Sequence, residues 1–132
     1  MTKERLQQYR QLQRELRQIQ GRIMEVESAM YSPRNQRLTG MPSAHSPESL
    51  MEKLVEKHAE LEAMYREKLM AITEELLAIE KAIATLDPTL RLLMRYRYVD
   101  GYRWEDICVK MNYSYQGVHK VHRKALRRLR DI

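Results

Sequence analysis

The sequence predicts an all-α protein in which a long helical hairpin or coiled coil precedes a C-terminal helix-turn-helix domain of three short helices. Two long segments each carry a single apolar stripe with a spacing of three and four residues, which is typical of helices that pack against other helices. After residue 86, three shorter stripes are separated by residues that favour helix ends and tight turns. We therefore divide the chain into a helical oligomerisation region, residues 1–86, and the helix-turn-helix domain, residues 87–132.

The first helix is predicted from a strict seven-residue repeat. Its apolar members, spaced alternately three and four residues apart, are Tyr9, Leu12, Leu16, Ile19, Ile23, Val26 and Met30. The other positions between Arg10 and Arg22 are mostly Gln, Arg and Glu, as expected of a solvated face. Such a stripe requires a partner helix.

A loop is predicted at residues 31–47, because this segment holds three of the four prolines and has little periodicity. Connectors of this length are usually functional or mobile. Arg34 and Arg37 could contact DNA or a partner, and a plain linker is the simpler alternative.

The second helix is predicted to begin with Ser46 as its cap and Pro47 as its first residue, and to continue to about Leu86. Its stripe consists of Met51, Leu54, His58, Leu61, Tyr65, Leu69, Ile72, Leu76, Ile79, Ile83 and Leu86. At 1.5 Å per residue this helix would reach roughly 60 Å, against roughly 40 Å for the first. His58 is interpreted as an interface residue, with a polar pair across the seam as the alternative.

The two long helices could pair as an antiparallel hairpin within one chain, between chains, or both. The surplus length of the second helix favours a homodimer or higher oligomer, because part of its stripe would otherwise remain exposed.

The first short helix is predicted to begin at Pro88, after Asp87. The Asp87 carboxylate can accept from the free N–H groups of the first turn. Gly101, after Asp100, supplies the left-handed residue that ends helices. The second short helix then places Trp104, Ile107, Cys108 and Met111 on its core-facing side.

Asn112 and Ser114 predict a tight turn before the third short helix. Asn112 can take the left-handed conformation, and Ser114 can cap the helix that follows. The buried side of that helix is predicted to consist of Val118, Val121, Ala125 and Leu129. Helix, tight turn and helix is the order of a helix-turn-helix motif, whose second helix enters the DNA major groove with its N-terminal residues on the bases.

The residue types on this last helix suit DNA. A Gln amide can both donate to and accept from adenine, and Lys can donate to guanine, so we place Tyr115, Gln116, His119 and Lys120 at the bases. The later cations are better placed for phosphates. The predicted DNA-binding residues are Ser114, Tyr115, Gln116, His119, Lys120, Arg123, Lys124 and Arg127.

The charge distribution supports double-stranded DNA as the partner. Residues 88–132 contain 11 Lys and Arg and 4 Asp and Glu, a net charge of +7, whereas residues 1–87 contain 13 and 14, a net charge of −1. If about five phosphates are neutralised, log affinity should fall against log salt with a slope of roughly −4 to −5. The six cations of the last helix exceed the two or three that would complement a helix dipole.

Other classes of protein are disfavoured. A single Cys excludes an internal disulfide, and the sequence has neither an apolar run of membrane-spanning length nor the apolar core of a secretion signal. We therefore expect a cytoplasmic protein without membrane contact. No glycine-rich phosphate loop or nucleophile and base pattern occurs, and His119 and His122 have no further ligand at matching spacing on their helix. Neither an enzyme, a cofactor nor a metal site is predicted.

The C-terminal part resembles the fourth conserved region of bacterial sigma factors, which binds an upstream promoter element. The matching residues are Tyr96-Arg97-Tyr98, Gly101, Trp104-Glu105-Asp106-Ile107, Ser114, Val118 and Ala125-Leu126-Arg127-Arg128-Leu129-Arg130. Three positions depart from that pattern. Arg103 stands where a capping Ser or Thr is usual, Gly117 interrupts the recognition helix, and His119 replaces a basic residue.

The chain as a whole resembles the phage late-gene transcriptional activators of the RinA/ArpU type, including a loop like Thr39-Gly40-Met41-Pro42 between its helical parts. This resemblance implies an activator that contacts host RNA polymerase in a bacterial cell. Two alternatives remain open. One is a small terminase-like DNA-packaging protein, and the other is a protein that binds RNA polymerase without binding DNA.

Overall fold

A computed structural model describes residues 1–32 and 47–131, and these residues form an all-α structure. Its helices are α1 (Lys3–Met30), α2 (Pro47–Ile83), α3 (Pro88–Met94), a π-helical turn (Arg95–Val99), α4 (Trp104–Met111) and α5 (Tyr115–Arg130). The predicted fold class and the order of the helices are confirmed. The predictions made for Arg34, Arg37, Ser46 and the loop of residues 39–42 lie outside the described residues.

The chain divides into two compact units. One, here called the helix-turn-helix unit, consists of Met1–Gln13 and Ala71–Ile132. The other, the hairpin unit, consists of Arg14–Met70. The module predicted at residues 87–132 thus lies inside a larger compact unit, which also contains the first part of α1 and the last part of α2.

In the hairpin unit, α1 and α2 run antiparallel within one chain. Lys68 Nζ donates to Glu15 Oε2 at 2.7 Å, and His58 Nε2 lies 2.9 Å from Glu27 Oε1. Because the residue numbers rise along one helix as they fall along the other, the pairing is that of a hairpin. The polar pair considered for His58 is confirmed.

The predicted stripes face the interior of the hairpin with one exception. Ile19, Val26 and Leu61 are buried, whereas Leu69 is 42% exposed and Lys68 is partly buried in its place. A repeat of 3.5 residues drifts by about 20° per heptad on a helix with 3.6 residues per turn, which brings the neighbouring position inward. Lys68 tolerates this position because its aliphatic stem packs while its ammonium group reaches Glu15.

The core of the helix-turn-helix unit draws on both long helices as well as the three short ones. Its fully buried side chains include Leu6, Ile79, Ile83, Leu93, Met94, Tyr98, Ile107, Val118 and Leu129. The surplus end of the α2 stripe, which we expected to be exposed in a single chain, is therefore covered by the chain itself. The length of α2 gives no support to an oligomer, which stays a prediction.

Helix α2 ends at Ile83, three residues before the predicted end at about Leu86. The ends predicted around the short helices are confirmed, but the role of Asp87 differs. Helix α3 begins at Pro88, and Gly101 and Asn112 take positive φ values of 76° and 56°. Asp87 occupies the N-cap without a side-chain cap bond, because its Oδ2 accepts from Arg128 Nη1 at 2.6 Å. The guanidinium group gives the carboxylate a charge-assisted partner of opposite charge.

Candidate nucleic-acid interface

Ser114 fixes the start of α5, the second helix of the helix-turn-helix motif. Its backbone is extended, and its Oγ accepts from the Gly117 N–H at 3.0 Å, as the sequence predicts. A Cβ added at Gly117 would lie 3.1 Å from Ser114 Oγ, so glycine leaves room for this cap. The glycine that departs from the sigma pattern thus has a local structural role.

Six of the eight predicted DNA-binding residues present exposed side chains on α5. They are Tyr115, Gln116, Lys120, Arg123, Lys124 and Arg127. Residues three and four apart are neighbours on a helix surface, so the five that follow Tyr115 share one face. Tyr115 is 60% exposed at the first turn. The structure therefore places a polar N-terminal end and a run of cations on the outer side of α5.

The cations of this face differ from other cations of the same unit. Among the described residues, Lys120, Arg123, Lys124 and Arg127 form no ion pair with an acidic side chain. Several other guanidinium groups of the unit are paired, among them Arg5 with Glu75, Arg95 with Glu80, and Arg128 with Asp87. Cations that lack an internal partner are the ones that an anionic backbone can neutralise.

His119 is held against aromatic rings. The centroid of its imidazole lies 4.6 Å from that of Trp104 and 4.3 Å from that of Tyr115. Its Nε2 is buried and has no hydrogen-bond partner among the described residues. Because this nitrogen is buried, it cannot reach the edge of a DNA base in this arrangement. The structure therefore does not support the predicted base contact through His119 Nε2.

His122, rather than Val121, completes the buried side of α5. It is 5% exposed, whereas Val121 is only half-buried. The buried positions are spaced by four, three and four residues, which fits one face of a helix. They are Val118, His122, Ala125 and Leu129, and this spacing can be read from the sequence. A search for apolar residues alone does not select His122, because its side chain is polar.

A hydrogen bond makes that burial possible. His122 Nε2 lies 2.7 Å from the Tyr98 hydroxyl, so the buried ring has a polar partner. Burial lowers the pKa of His122 to about 4, and the positive charge of Lys3 contributes in the same direction. The ring is therefore neutral at pH 7.

The contact between α5 and α4 is aromatic and cationic. Trp104 is half-buried between His119 and His122, and the Arg97 guanidinium lies 4.6 Å from the centroid of its indole. Of the residues predicted on this side of α4, Ile107 is fully buried and the other three are half-buried. Arg103 gives α4 no side-chain cap, as its departure from the sigma pattern predicts.

One group outside this interface has a donor set suited to a metal. Ligand atoms of Glu27, His58 and Glu62 in the hairpin unit lie within 4.8 Å of one another. A hydrogen bond between His58 and Glu27 and a 3.6 Å contact between His58 and Glu62 bring these atoms together. The absence of a metal site stays a prediction.

Comparison with known families identifies the type of domain. Residues 76–129 match Sigma-70, region 4. The match covers the end of α2 and almost all of the three short helices, so this part is a helix-turn-helix domain of a kind associated with DNA binding and transcription. Searches of curated proteins and of solved structures gave no significant match. Within the described part of the chain, no helix has the length and apolar character needed to cross a membrane.

Proposed function

We propose that the protein is a sequence-specific DNA-binding transcriptional regulator that inserts α5 into the major groove of duplex DNA. The observation that carries this proposal is the exposed face of α5 with Lys120, Arg123, Lys124 and Arg127, for which the described part of the chain provides no acidic partner. This face follows a capped, polar N-terminal turn. The Sigma-70 region 4 match over the same helices supports it.

Within this proposal the residues of α5 have two roles. Gln116 and Lys120, near the N-terminal end, contact base edges, and Tyr115 lies beside them. Arg123, Lys124 and Arg127 contact phosphates and set affinity more than sequence choice. Ser114 holds the first turn in place.

The finer proposal is a phage late-gene activator of the RinA/ArpU type that acts with host RNA polymerase in the bacterial cytoplasm. It is supported by the resemblance of the whole chain and by the sigma-like domain. We also propose a homodimer or higher oligomer. Apolar side chains of the hairpin unit that remain exposed, Met24, Val55 and Met64, support self-association.

The first experiment identifies the target and tests the recognition helix. Duplex fragments retained by the purified protein are sequenced, and the selected site is used in mobility shifts over a salt series. We expect Gln116→Ala to cost about 1–3 kcal/mol of discrimination at one base pair. Arg127→Ala should weaken binding to all duplexes and reduce the salt slope by about 1. Lys81→Ala, an exposed cation on α2, is the matched control.

Each alternative gives a different result. Binding that persists unchanged after Gln116, Lys120 and Arg123 are replaced by Ala would reject the recognition helix. Retained sites upstream of a structural-gene operon would support the activator. Rings of eight or more copies in light scattering, with packaging-origin sites, would indicate a small terminase-like protein. Polymerase binding without duplex binding would indicate an interaction protein.

A further inference from the structure

One polar group of the hairpin unit lies between α1 and α2. His58 and Glu62 are one turn apart on α2, and Glu27 meets them from α1. Ligand atoms of the three side chains lie within 4.8 Å of one another. His58 occupies a position of the apolar α2 stripe and is half-buried, whereas the two glutamate side chains are each 46% exposed. An imidazole therefore stands where the repeat calls for an apolar side chain, with two carboxylates beside it.

Both carboxylates approach the same ring nitrogen. His58 Nε2 lies 2.9 Å from Glu27 Oε1 and 3.6 Å from Glu62 Oε1. A proton on this nitrogen can be donated to Glu27, but the distance to Glu62 is too long for a hydrogen bond. Even a protonated ring brings only one positive charge to two carboxylates, which repel each other at this separation. A divalent cation at the same point would balance both of them.

The distances fit the coordination of a small divalent ion. Zn²⁺ binds imidazole nitrogen and carboxylate oxygen at roughly 2.0–2.2 Å, so the ligand atoms of a tetrahedral site lie roughly 3.4 Å apart. The two measured distances bracket this value. His58 and Glu62 are four residues apart, a spacing at which one helix face can supply two ligands to one ion. The exposed carboxylates can rotate to complete the geometry.

The nitrogen ligand indicates the class of metal. Mg²⁺ and Ca²⁺ prefer sites made of oxygen atoms alone. Imidazole is a preferred ligand of Zn²⁺ and of related transition metals. Because His58 Nε2 lies next to both carboxylates, the group differs from a surface cluster of acidic side chains and favours a Zn²⁺-type ion.

A groove of the hairpin unit borders the same carboxylates. Its volume is about 440 Å³, and its lining includes Glu27, Glu62, Gln20, Tyr65 and Arg66. Three protein ligands leave one position of a tetrahedral ion open. The groove gives a metal ion a path to the carboxylates and gives a water molecule access to the fourth position. Among the described residues that line it, Arg66 is the only cation, so the two carboxylates outnumber the positive charge.

We propose that Glu27, His58 and Glu62 bind one transition-metal ion of the Zn²⁺ type, which ties α1 to α2. The inference goes beyond the proposed function and does not depend on DNA binding. The sequence-based prediction of no metal site rests on ligand spacing within one helix, whereas this group draws on two helices, and His58 and Glu27 are 31 positions apart. The stability of the hairpin unit would then depend on the metal.

Titration calorimetry of the full chain with Zn²⁺ tests the site. The wild type should bind one Zn²⁺ that the His58→Gln, Glu27→Gln and Glu62→Gln variants bind roughly 100-fold more weakly, because a lost ligand costs at least as much as a lost second-shell partner. Glu60→Gln removes an exposed carboxylate from the same helix and is the matched control, which should bind as the wild type does. Unchanged Zn²⁺ affinity in the three variants, or Mg²⁺ binding as tight as Zn²⁺ binding, overturns the proposal.

Thermal unfolding separates loss of a ligand from loss of the fold. Zn²⁺ should raise the unfolding temperature of the wild type and of Glu60→Gln, but not that of His58→Gln. His58→Leu restores an apolar side chain to the α2 stripe, so this variant should fold even if glutamine is not tolerated there. It keeps the test decisive. An equal rise with Zn²⁺ in the wild type and in His58→Leu would place the ion elsewhere in the chain and reject the proposed site.

Discussion

The buried imidazole of His122 couples the stability of the fold to pH. Its pKa is about 4 in the folded chain against 6.5 for the ordinary side chain. As pH falls below 6.5, the unfolded chain takes up this proton first, so the free energy of unfolding decreases until about pH 4. A difference of this size is worth up to about 3 kcal/mol. Urea unfolding between pH 4 and 7 measures it.

His122→Gln is the control for this prediction. Glutamine can retain a hydrogen bond to Tyr98 but does not titrate, so the variant should lose less stability than the wild type over the same range. Equal pH profiles for the two proteins would show that other groups, such as the carboxylates, account for the whole dependence.

Single residues were predictable where their role is local. Ser114 and Asn112 act on backbone groups within a few positions, so their types and spacing sufficed. The pairs of Asp87 with Arg128 and of Tyr98 with His122 span 41 and 24 positions. Nothing in the local sequence indicates which distant group a polar side chain will meet.

The position at which α5 begins is determined mainly by one residue, Ser114. Replacing Ser114 by Ala removes the acceptor for the Gly117 N–H and should cost about 1 kcal/mol of unfolding free energy. Ser114→Asn keeps a side-chain oxygen at the cap and should restore most of the loss. Urea unfolding compares the three proteins, and equal stability of the Ala and Asn variants would contradict a role for the cap.

Helix positions were predictable from apolar spacing, but finer helical geometry was not. The starts at Pro47 and Pro88 follow from the fixed φ of proline. Two features depend on how far a helix is rotated about its own axis. One is the π-helical turn at Arg95–Val99, and the other is the inward position of Lys68 where Leu69 was predicted. Spacings of three and four residues are compatible with more than one such rotation.

The helix-turn-helix unit combines two distant parts of the chain, and Leu6 tests this at the scale of the whole molecule. Its side chain is fully buried. Leu6→Ala should therefore lower the free energy of unfolding by about 2–5 kcal/mol. Leu92→Ala, at a position 43% exposed, is the matched control and should cost much less. Equal losses in thermal or urea unfolding would show that residues 1–13 add little to this core.

The composition of this unit was beyond sequence reasoning. A seven-residue repeat indicates that a stripe is buried, but it does not specify what covers it. The repeat predicts that the first residues of α1 belong to the helical region, whereas they lie in the same compact unit as α5. The predicted boundary between the two functional regions at residue 86 stays a prediction. The compact unit extends across this boundary, because its second segment begins at Ala71.

The use of residues 1–13 together with residues 71–132 in one unit also affects its biosynthesis. The first segment leaves the ribosome long before its partners, and at 5–20 residues per second the delay is roughly ten seconds. During that time Leu6 and Tyr9 have none of the later side chains to pack against. Maturation of this unit must therefore follow translation of residues 71–132, and nascent chains stalled before residue 71 should expose both side chains to chaperones.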